Sequence, residues 1–276
     1  MTAVDEVSLS AGGQTALSIL QKTDGQQGES SERLSSGLKV NNAVDDAQAF
    51  FLAKNLNNRA ADLQAVKDDI GQAASSIGAA QNGIEAISNL SGQLQGIATA
   101  ARGGSAQDRA AAAEQFDSIR QQIDNLARDA GFNGVNLIAS TPSSQTVSFN
   151  ESGSSDLTIT GGASDSASLG INDATVTNNN FATDADIENA IRKVEQAQDS
   201  LRATSARFGS DIGILNARAD FTNDQVNILR DGADKLVNAD LTEEAAKKIA
   251  LQNRSGLASA GLNVANDSQS AMLDLF

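Results

Sequence analysis

The side chains of this chain that could do chemistry are almost all acids, amides and hydroxyls. Its 276 residues include no His, Cys, Trp or Tyr. A Ser-His or Cys-His catalytic pair therefore cannot be built, and a zinc or haem site would lack its usual ligands. A carboxylate metal site or a Ser-Lys pair stays open. Adjacent acids occur at Asp45-Asp46, Asp68-Asp69 and Glu243-Glu244.

Neighbouring residues on a helix do not point at one site. Each acid pair therefore fits a solvated face or a helix start better than a catalytic centre. We expect no enzyme activity, no cofactor and no metal site.

The composition favours long helices over a thick globular core. Apolar residues make up 40% of the chain, but aromatic residues only 3%, and all nine are Phe. A single proline accompanies many helix-forming residues. The net charge of −15 argues against binding to nucleic acid or to an anionic membrane surface. Apolar runs are too short to span a bilayer, so we expect no membrane insertion.

Apolar residues at seven-residue spacing predict two long helices. The first runs from Ala47 to Ala101, and the second begins at Asp184. Gly71, Gly78 and Gly92 lie beside the seam of the first helix, where they indicate either close approach by a neighbouring helix or simple tolerance. The predicted seams are Leu56, Leu63, Ile70, Ile77, Ile84 with Val66, Ala73, Ala80, Ile87, Leu94 in the first helix, and Ile187, Val194, Leu201, Phe208, Leu215, Leu229, Leu236 in the second.

A polar segment separates these helices. After a shorter helix from about Gln107 to Ala130, residues 131–183 are rich in Ser, Thr, Asn and Gly. Alternating stretches at 146–149 and 157–160 predict hairpins, although a flexible polar insert is the alternative. Ser and Thr at 140–183 suggest O-glycosylation or only a soluble surface. The predicted fold is mainly α: an elongated antiparallel helical bundle or coiled coil formed by both chain ends, with a small β-rich insert in the middle.

The chain ends carry apolar stripes that need to be buried. At the N-terminus a weaker pattern includes Val4, Val7, Leu9, Ala16, Leu17, Ile19 and Leu20. Such faces pack against the other chain end or against another molecule, which is typical of an assembly protein. The two C-terminal stripes are Leu251, Ala258, Leu262, Ala265, Met272, Phe276 and Ala250, Leu257, Gly261, Val264, Ala271, Leu275.

Four motifs, in order along the chain, resemble those of bacterial flagellins. Together they are specific, and they cover both ends of the chain, while the short insert and residues 94–100 resemble those of alphaproteobacterial flagellins. The motifs are Arg33-Leu-Ser-Ser-Gly-Leu-Lys-Val-Asn41 with Asp45-Asp46-Ala47, Gly131-Phe-Asn-Gly-Val-Asn-Leu137 as a strand-opening motif, Asn238-Ala-Asp-Leu241, and Leu262-x-x-Ala265-Asn266 with Leu273-x-Leu275-Phe276.

The resemblance implies an extracellular subunit of the flagellar filament, exported unfolded and polymerised for swimming motility. Its partners would be many copies of itself, the flagellar junction and cap proteins, the export apparatus and an export chaperone. The implied parts are an N-terminal inner-tube helix (1–32), a connector loop (33–46), middle-shell helices (47–130), an outer β-rich region (131–183), a long middle-shell helix (184–237) and a C-terminal inner-tube helix (238–276).

Three sets of residues carry these expectations. The connector loop would lock or switch subunit packing, although a solvated helix linker is the alternative. Residues 94–100 align with the stretch that the animal innate receptor detects, but lack its Arg and Glu. The sets are the polymerisation interface (Leu9, Ala16, Leu17, Leu20, Leu251, Leu257, Leu262, Val264, Ala265, Met272, Leu275, Phe276), the connector (Arg33, Gly37, Lys39, Asn41, Asp45, Asp46) and the altered receptor stretch (Leu94, Gly96, Ala98, Thr99).

Two other functions compete with this one. A hook–filament junction protein shares the terminal pattern but need not polymerise indefinitely. A helical-hairpin signalling domain also uses heptads, but it would place a helical tip where this chain has a polar, proline-containing insert.

Overall fold

The computed structural model of the chain describes residues 11–273, with side-chain burial for residues 11–271. The structure is 74% helical, so the mainly α fold class is confirmed. It divides into two compact units, the first from Met1–Asn58 and Leu229–Phe276 and the second from Arg59–Ile228. The elements are α1 (Ala11–Ser36), α2 (Ala47–Ala101), α3 (Ala106–Asp129), β1 (Ser144–Ser148), β2 (Asp156–Thr160), a 3-10 turn (Asn179–Phe181), α4 (Asp184–Val237) and α5 (Leu241–Leu273).

The predicted helix from Ala47 to Ala101 is present with the same bounds, and α4 begins at Asp184 as expected. Local capping explains these starts, because the first amides of a helix have no partner within it. A carboxylate oxygen of Asp46 accepts from the amide of Ala49 at 2.9 Å. Ser105 and Thr183 form capping boxes that begin α3 and α4. Polar residues just before α2, α3 and α4 therefore set where these three helices begin.

In the second unit, α2 and α4 run antiparallel. Lys67, near the start of the part of α2 that belongs to this unit, donates to Asn223 at 2.7 Å. Gln95, near the end of α2, donates to Glu195 at 3.1 Å, earlier in α4. The heptad seams meet in one hydrophobic core, where Ile77, Leu94 and Phe208 are fully buried. The two long heptad segments thus pair as an antiparallel bundle, as predicted from their spacing.

The segment 131–183 forms one antiparallel hairpin and the 3-10 turn and is otherwise irregular. Strand β1 pairs with β2 in a register that places Thr146 opposite Thr158. Apolar side chains of the segment join the bundle core instead of forming a core of their own, including Leu137, Ile138, Val147, Ile159, Ile171 and Phe181.

The motif Gly131–Leu137 does not open a strand. It makes a tight turn closed by an isolated bridge between Phe132 and Val135. Asn133 and Gly134 have positive φ angles of 47° and 80°, which suit a two-residue turn. The first strand begins seven residues later, at Ser144. Within the motif, Asn136 Nδ2 instead donates to the carbonyls of Ala127 and Arg128 at the end of α3.

In the first unit, α1 and α5 pack as an antiparallel pair. Ser30 near the end of α1 meets Glu244 near the start of α5. Ala16, earlier in α1, lies beside Ala258. The prediction that the terminal helices lie together is confirmed for their described parts.

No helix within residues 11–273 combines the length and apolar character needed to cross a bilayer. Within the same residues, no cluster of three or more acidic side chains has a geometry that could hold a metal ion.

Candidate assembly surface and connector

The two C-terminal stripes predicted from the sequence lie on different sides of α5. Leu251, Ala258, Leu262 and Ala265 form a buried stripe on the side where α1 packs: Leu251 and Ala258 are buried, and the other two are half-buried. The second set remains in solvent, with Leu257 75% and Val264 65% exposed. We call it the exposed stripe; its described members are Ala250, Leu257, Gly261, Val264 and Ala271.

A shallow groove runs along α1 and α5 beside the exposed stripe. Its volume is about 360 Å³. Small residues form much of its lining, so a side chain from another molecule could approach the backbones of both helices. The lining residues are Gly12, Thr15, Ala16, Ile19, Arg254, Leu257, Ala258 and Gly261.

A second exposed flank of α5 is polar between Gln252 and Ser270. It follows the same three-and-four spacing, so the two exposed flanks differ in chemistry and not in geometry. An exposed polar flank needs no partner, whereas an exposed apolar stripe leaves apolar surface in water. The residues of the polar flank are Gln252, Ser259, Asn263, Asn266 and Ser270.

The remaining predicted interface residues have mixed positions. On α1, Ala16 is buried, Leu20 is half-buried, and Leu17 is 37% exposed. Leu9, Leu275 and Phe276 lie outside the described residues, and so does the side chain of Met272. The geometry therefore divides the predicted set into residues that hold α1 to α5 and residues that are free to contact another molecule.

A buried carboxylate joins α1 to α5. Glu244 is 7% exposed; one of its carboxylate oxygens accepts from Ser30 Oγ at 2.8 Å, and the other from Arg33 Nη1 at 3.3 Å. Lys247 Nζ lies 3.6 Å away. Burial by itself raises the pKa of Glu244, but the Ser30 and Arg33 hydrogen bonds and the Lys247 charge outweigh it, so the pKa is lowered. The carboxylate is held ionised at neutral pH.

The connector loop pairs with the junction between α4 and α5. The amide of Lys39 donates to the carbonyl of Val237 at 2.7 Å, and the amide of Ala239 donates to the carbonyl of Gly37 at 2.8 Å. Leu38 and Asn238 form the bridge between them. Lys39 Nζ also reaches the carbonyl of Lys235 at 3.1 Å. The two helix connections of this unit are therefore tied together through their backbones.

The other predicted connector residues bond within the loop or to the helices on either side of it. One carboxylate oxygen of Asp45 accepts from the amide of Asn41 at 2.9 Å and from the amide of Asn42 at 3.0 Å. Asn41 Nδ2 donates to Glu32 at 3.2 Å. Asp45 thus closes a turn, Asp46 caps α2, and neither acid faces a shared site.

Sequence reasoning missed part of this arrangement. It did not single out Ser30 or the main-chain groups of Val237. It also did not show that Glu244 joins α1 to α5. A Glu in the first turn of α5 was visible, but nothing in its spacing indicated a partner on α1. A further apolar stripe on α4 was also missed. It has the same seven-residue spacing as the seam, and each of its residues lies one position before a seam position. The stripe comprises Ile214, Phe221 and Ile228, all exposed.

The altered receptor stretch divides between core and surface. Leu94 and Ala98 are fully buried in the bundle core. Gly96 and Thr99 are exposed. Among these four residues, only Gly96 and Thr99 can meet another molecule in the folded chain.

The seam glycines of α2 have no close neighbour within the chain. A Cβ built at Gly71, Gly78 or Gly92 would meet nothing within 4 Å. Close approach by another helix of this chain therefore does not explain them. Gly83 is different, because a Cβ there would lie 2.6 Å from both Ala130 and Ile138.

Comparison with known proteins identifies the family. The model of the bacterial flagellin N-terminal helical region matches residues 7–143. Flagellin FljK of Caulobacter vibrioides is 30% identical, with 99% of each chain covered. A flagellin of Brucella melitensis is 27% identical, with 95% of each chain covered. The crystal structure of Bacillus cereus flagellin gives a TM-score of 0.48 at 20% identity, covering 56% of this chain and 88% of that chain.

These full-length relatives confirm the resemblance to short alphaproteobacterial flagellins. None of these comparisons favours a junction protein or a signalling hairpin. The chain belongs to the flagellin family and is a structural subunit of the extracellular flagellar filament, assembled from many copies, and not an enzyme.

Proposed function

We propose that copies of this chain contact one another chiefly through the exposed stripe of α5, together with Leu17 of α1. The observation that supports this is the asymmetry of α5 between Ala250 and Ala271, where one exposed flank is apolar and the other is polar. Ala16, Leu20, Leu251, Leu262 and Ala265 then act inside each subunit, because they hold α1 to α5. The predicted members Leu9, Met272, Leu275 and Phe276 would extend the contact at the chain ends.

The groove beside the exposed stripe supports a second copy as the occupant. Burial of apolar surface contributes roughly 25 cal/mol per Å², and a specific interface requires about 1,000 Å². A helix of 33 residues, flanked by α1, offers surface to more than one neighbour. If α1 and α5 are disordered before assembly, the conformational entropy lost on ordering them reduces the free energy gained by burial.

The stripe of Ile214, Phe221 and Ile228 is proposed as a second, lateral contact between copies. It belongs to the unit Arg59–Ile228, so it could act separately from α5. Gly71, Gly78 and Gly92, which are open on α2, would allow close approach of a neighbouring subunit there.

The layers implied by the family resemblance complete the proposal. Residues 1–32 and 238–276 would form the inner tube, the long helices 47–130 and 184–237 the middle shell, and residues 131–183 the outer face. The connector 33–46 would transmit or lock subunit packing. Junction and cap proteins, the export apparatus and an export chaperone are proposed as further partners.

Substitution within the exposed stripe tests the proposal. Each of Leu257→Asn and Val264→Asn removes an apolar side chain whose burial contributes about 1.5 kcal/mol or more. Since about 1.4 kcal/mol is tenfold in an equilibrium constant, the double variant should need about a hundredfold more protein to polymerise. Electron microscopy of seeded samples and the critical concentration from sedimentation measure this.

Ser259→Asn on the polar flank is the matched control, and it should polymerise normally. Circular dichroism should be unchanged for all variants, since Leu257 and Val264 make little contact within the subunit. Normal filaments from the double variant, or loss of filaments with Ser259→Asn alone, would contradict the proposed surface.

Poor activation of the animal innate receptor is proposed from the receptor stretch. Only Gly96 and Thr99 of the altered residues are exposed, and neither supplies the charge-assisted contacts of an Arg or a Glu. A reporter-cell assay with purified monomer measures the response. Full potency at the concentration of a detected flagellin would refute the idea.

A further inference from the structure

We propose that Asn133 is a site of hydrolytic deamidation in the folded chain. The sequence contains two Asn-Gly pairs, Asn82-Gly83 and Asn133-Gly134. In such a pair the main-chain nitrogen of the glycine can attack the side-chain amide carbon of the asparagine, because glycine has no Cβ to hinder the approach. The two pairs share this chemistry, so their backbone settings decide which one reacts.

The pair at Asn133 lies in an exposed turn. The amides of Phe132 and Val135 donate to each other's carbonyls at 2.9 Å. The amide of Gly134 takes no part in these two bonds, and a Cβ at Gly134 would meet nothing within 4 Å. The bridge is isolated from the sheet, so opening it disturbs two hydrogen bonds at the surface and little else.

The pair at Asn82 lies inside α2, a helix of 55 residues. There the amide of Gly83 belongs to the helix hydrogen-bond ladder. Gly83 is buried against Ala130 and Ile138. Ring closure at Asn82 would therefore require local unfolding of a packed helix, which costs far more than opening an exposed turn.

The reaction needs only water. The main-chain nitrogen of Gly134 loses its proton to solvent and bonds to Cγ of Asn133. The Cγ–Nδ2 bond then breaks, and Nδ2 takes up a proton from water and leaves as ammonia. Water then opens the resulting succinimide at either carbonyl. The product at this position is either an ordinary aspartyl residue or an isoaspartyl residue, whose main chain runs through the side-chain carbon.

Both products change the local surface. Each adds one negative charge to a chain whose net charge is −15. Each also removes the Nδ2 donor that Asn133 directs to Gln72 Oε1 at 3.3 Å. The isoaspartyl product lengthens a turn of only two central residues, directly before Asn136, whose side chain bonds the end of α3.

Peptide mapping by mass spectrometry of the full-length chain, incubated in oxygen-18 water, tests the proposal. The peptide with Asn133 should gain label and the mass of one deamidation at least about ten times faster than the peptide with Asn82. The rate should rise with pH, since attack needs a deprotonated amide. In denaturant the two peptides should react at similar rates, which isolates the effect of the fold.

Equal rates for the two peptides in the folded chain would overturn the proposal, and so would an unlabelled Asn133 peptide after the denatured sample has reacted. Gly134→Ala serves as the matched variant and should slow the reaction at Asn133, while Asn82 keeps its rate.

Discussion

Gly37 shows how a single residue sets the connector. Its φ angle is +75°, and a Cβ there would meet nothing within 4 Å. The requirement for glycine is therefore one of backbone conformation and not of space. Its carbonyl accepts from Ala239, so the left-handed turn is coupled to the junction before α5.

Gly37→Val should destabilise the connector by about 1 to 2 kcal/mol, because a β-branched residue strains this conformation. We expect altered filament shape or lower filament stability, seen by electron microscopy and thermal melting. Gly37→Asn is the control, since asparagine tolerates positive φ. Unaltered filaments from Gly37→Val would favour a passive helix linker.

At the level of single residues, the sequence pointed to individual residues but not to their partners. Arg33 and Gly37 were singled out, but the carbonyl of Val237 and the hydroxyl of Ser30 were not. Backbone hydrogen bonds between distant segments leave no trace in side-chain spacing. The buried position of Ala98 was likewise invisible to a motif comparison.

At the scale of whole helices, the pairing of α1 with α5 depends on an ionised acid, Glu244. The lowered pKa of Glu244 means that the folded state binds its proton less tightly than the unfolded state does. Stability from this group is therefore present above the ordinary Glu pKa and is lost as the pH falls through the lower folded value. The helix pair should loosen in acid for this reason.

Glu244→Gln should lower the free energy of unfolding of the full chain at pH 7 by about 1 to 2 kcal/mol, because the charge-assisted contacts to Ser30 and Arg33 weaken. The change is measured as a lower melting temperature. The loss should shrink as the pH falls below the ordinary Glu pKa. Glu243→Gln, at the exposed neighbour, should change little. A pH-independent loss for Glu244→Gln would show that the charge is not what matters.

Whole helices were predictable because their period is local. Heptads gave α2 and α4, and capping residues fixed their starts. The two C-terminal stripes were also visible, but the sequence did not show which stripe the chain buries itself. That choice depends on the partner helix α1, whose packing is a long-range property. The hairpin strands were predicted to within two residues, whereas the turn at Phe132–Val135 was mistaken for a strand opening.

At the scale of the whole molecule, the two units differ in whether they contain the main hydrophobic core. The unit Arg59–Ile228 contains the bundle core, and the other unit contains α1, α5 and the connector. Loss of α5 would remove the partner of α1 and the exposed stripe, but no residue of the bundle core.

Deleting residues 241–276 should therefore leave a folded, soluble monomer that does not polymerise. Circular dichroism and analytical ultracentrifugation measure folding and size, and electron microscopy with filament seeds measures assembly. The full-length chain under the same conditions is the control. Filaments from the truncated chain would show that the terminal helices are dispensable for assembly.

The hairpin determines where this small subunit could accept foreign sequence. Because residues 131–183 contribute to the bundle core, replacing the whole segment by another sequence would disturb that core. Its tip differs, since Glu151, Ser152 and Gly153 are exposed and the pairing of β1 with β2 ends before them. An epitope inserted at Ser152 would extend a loop without displacing a core residue, and every subunit of a filament would then carry one copy for antigen display.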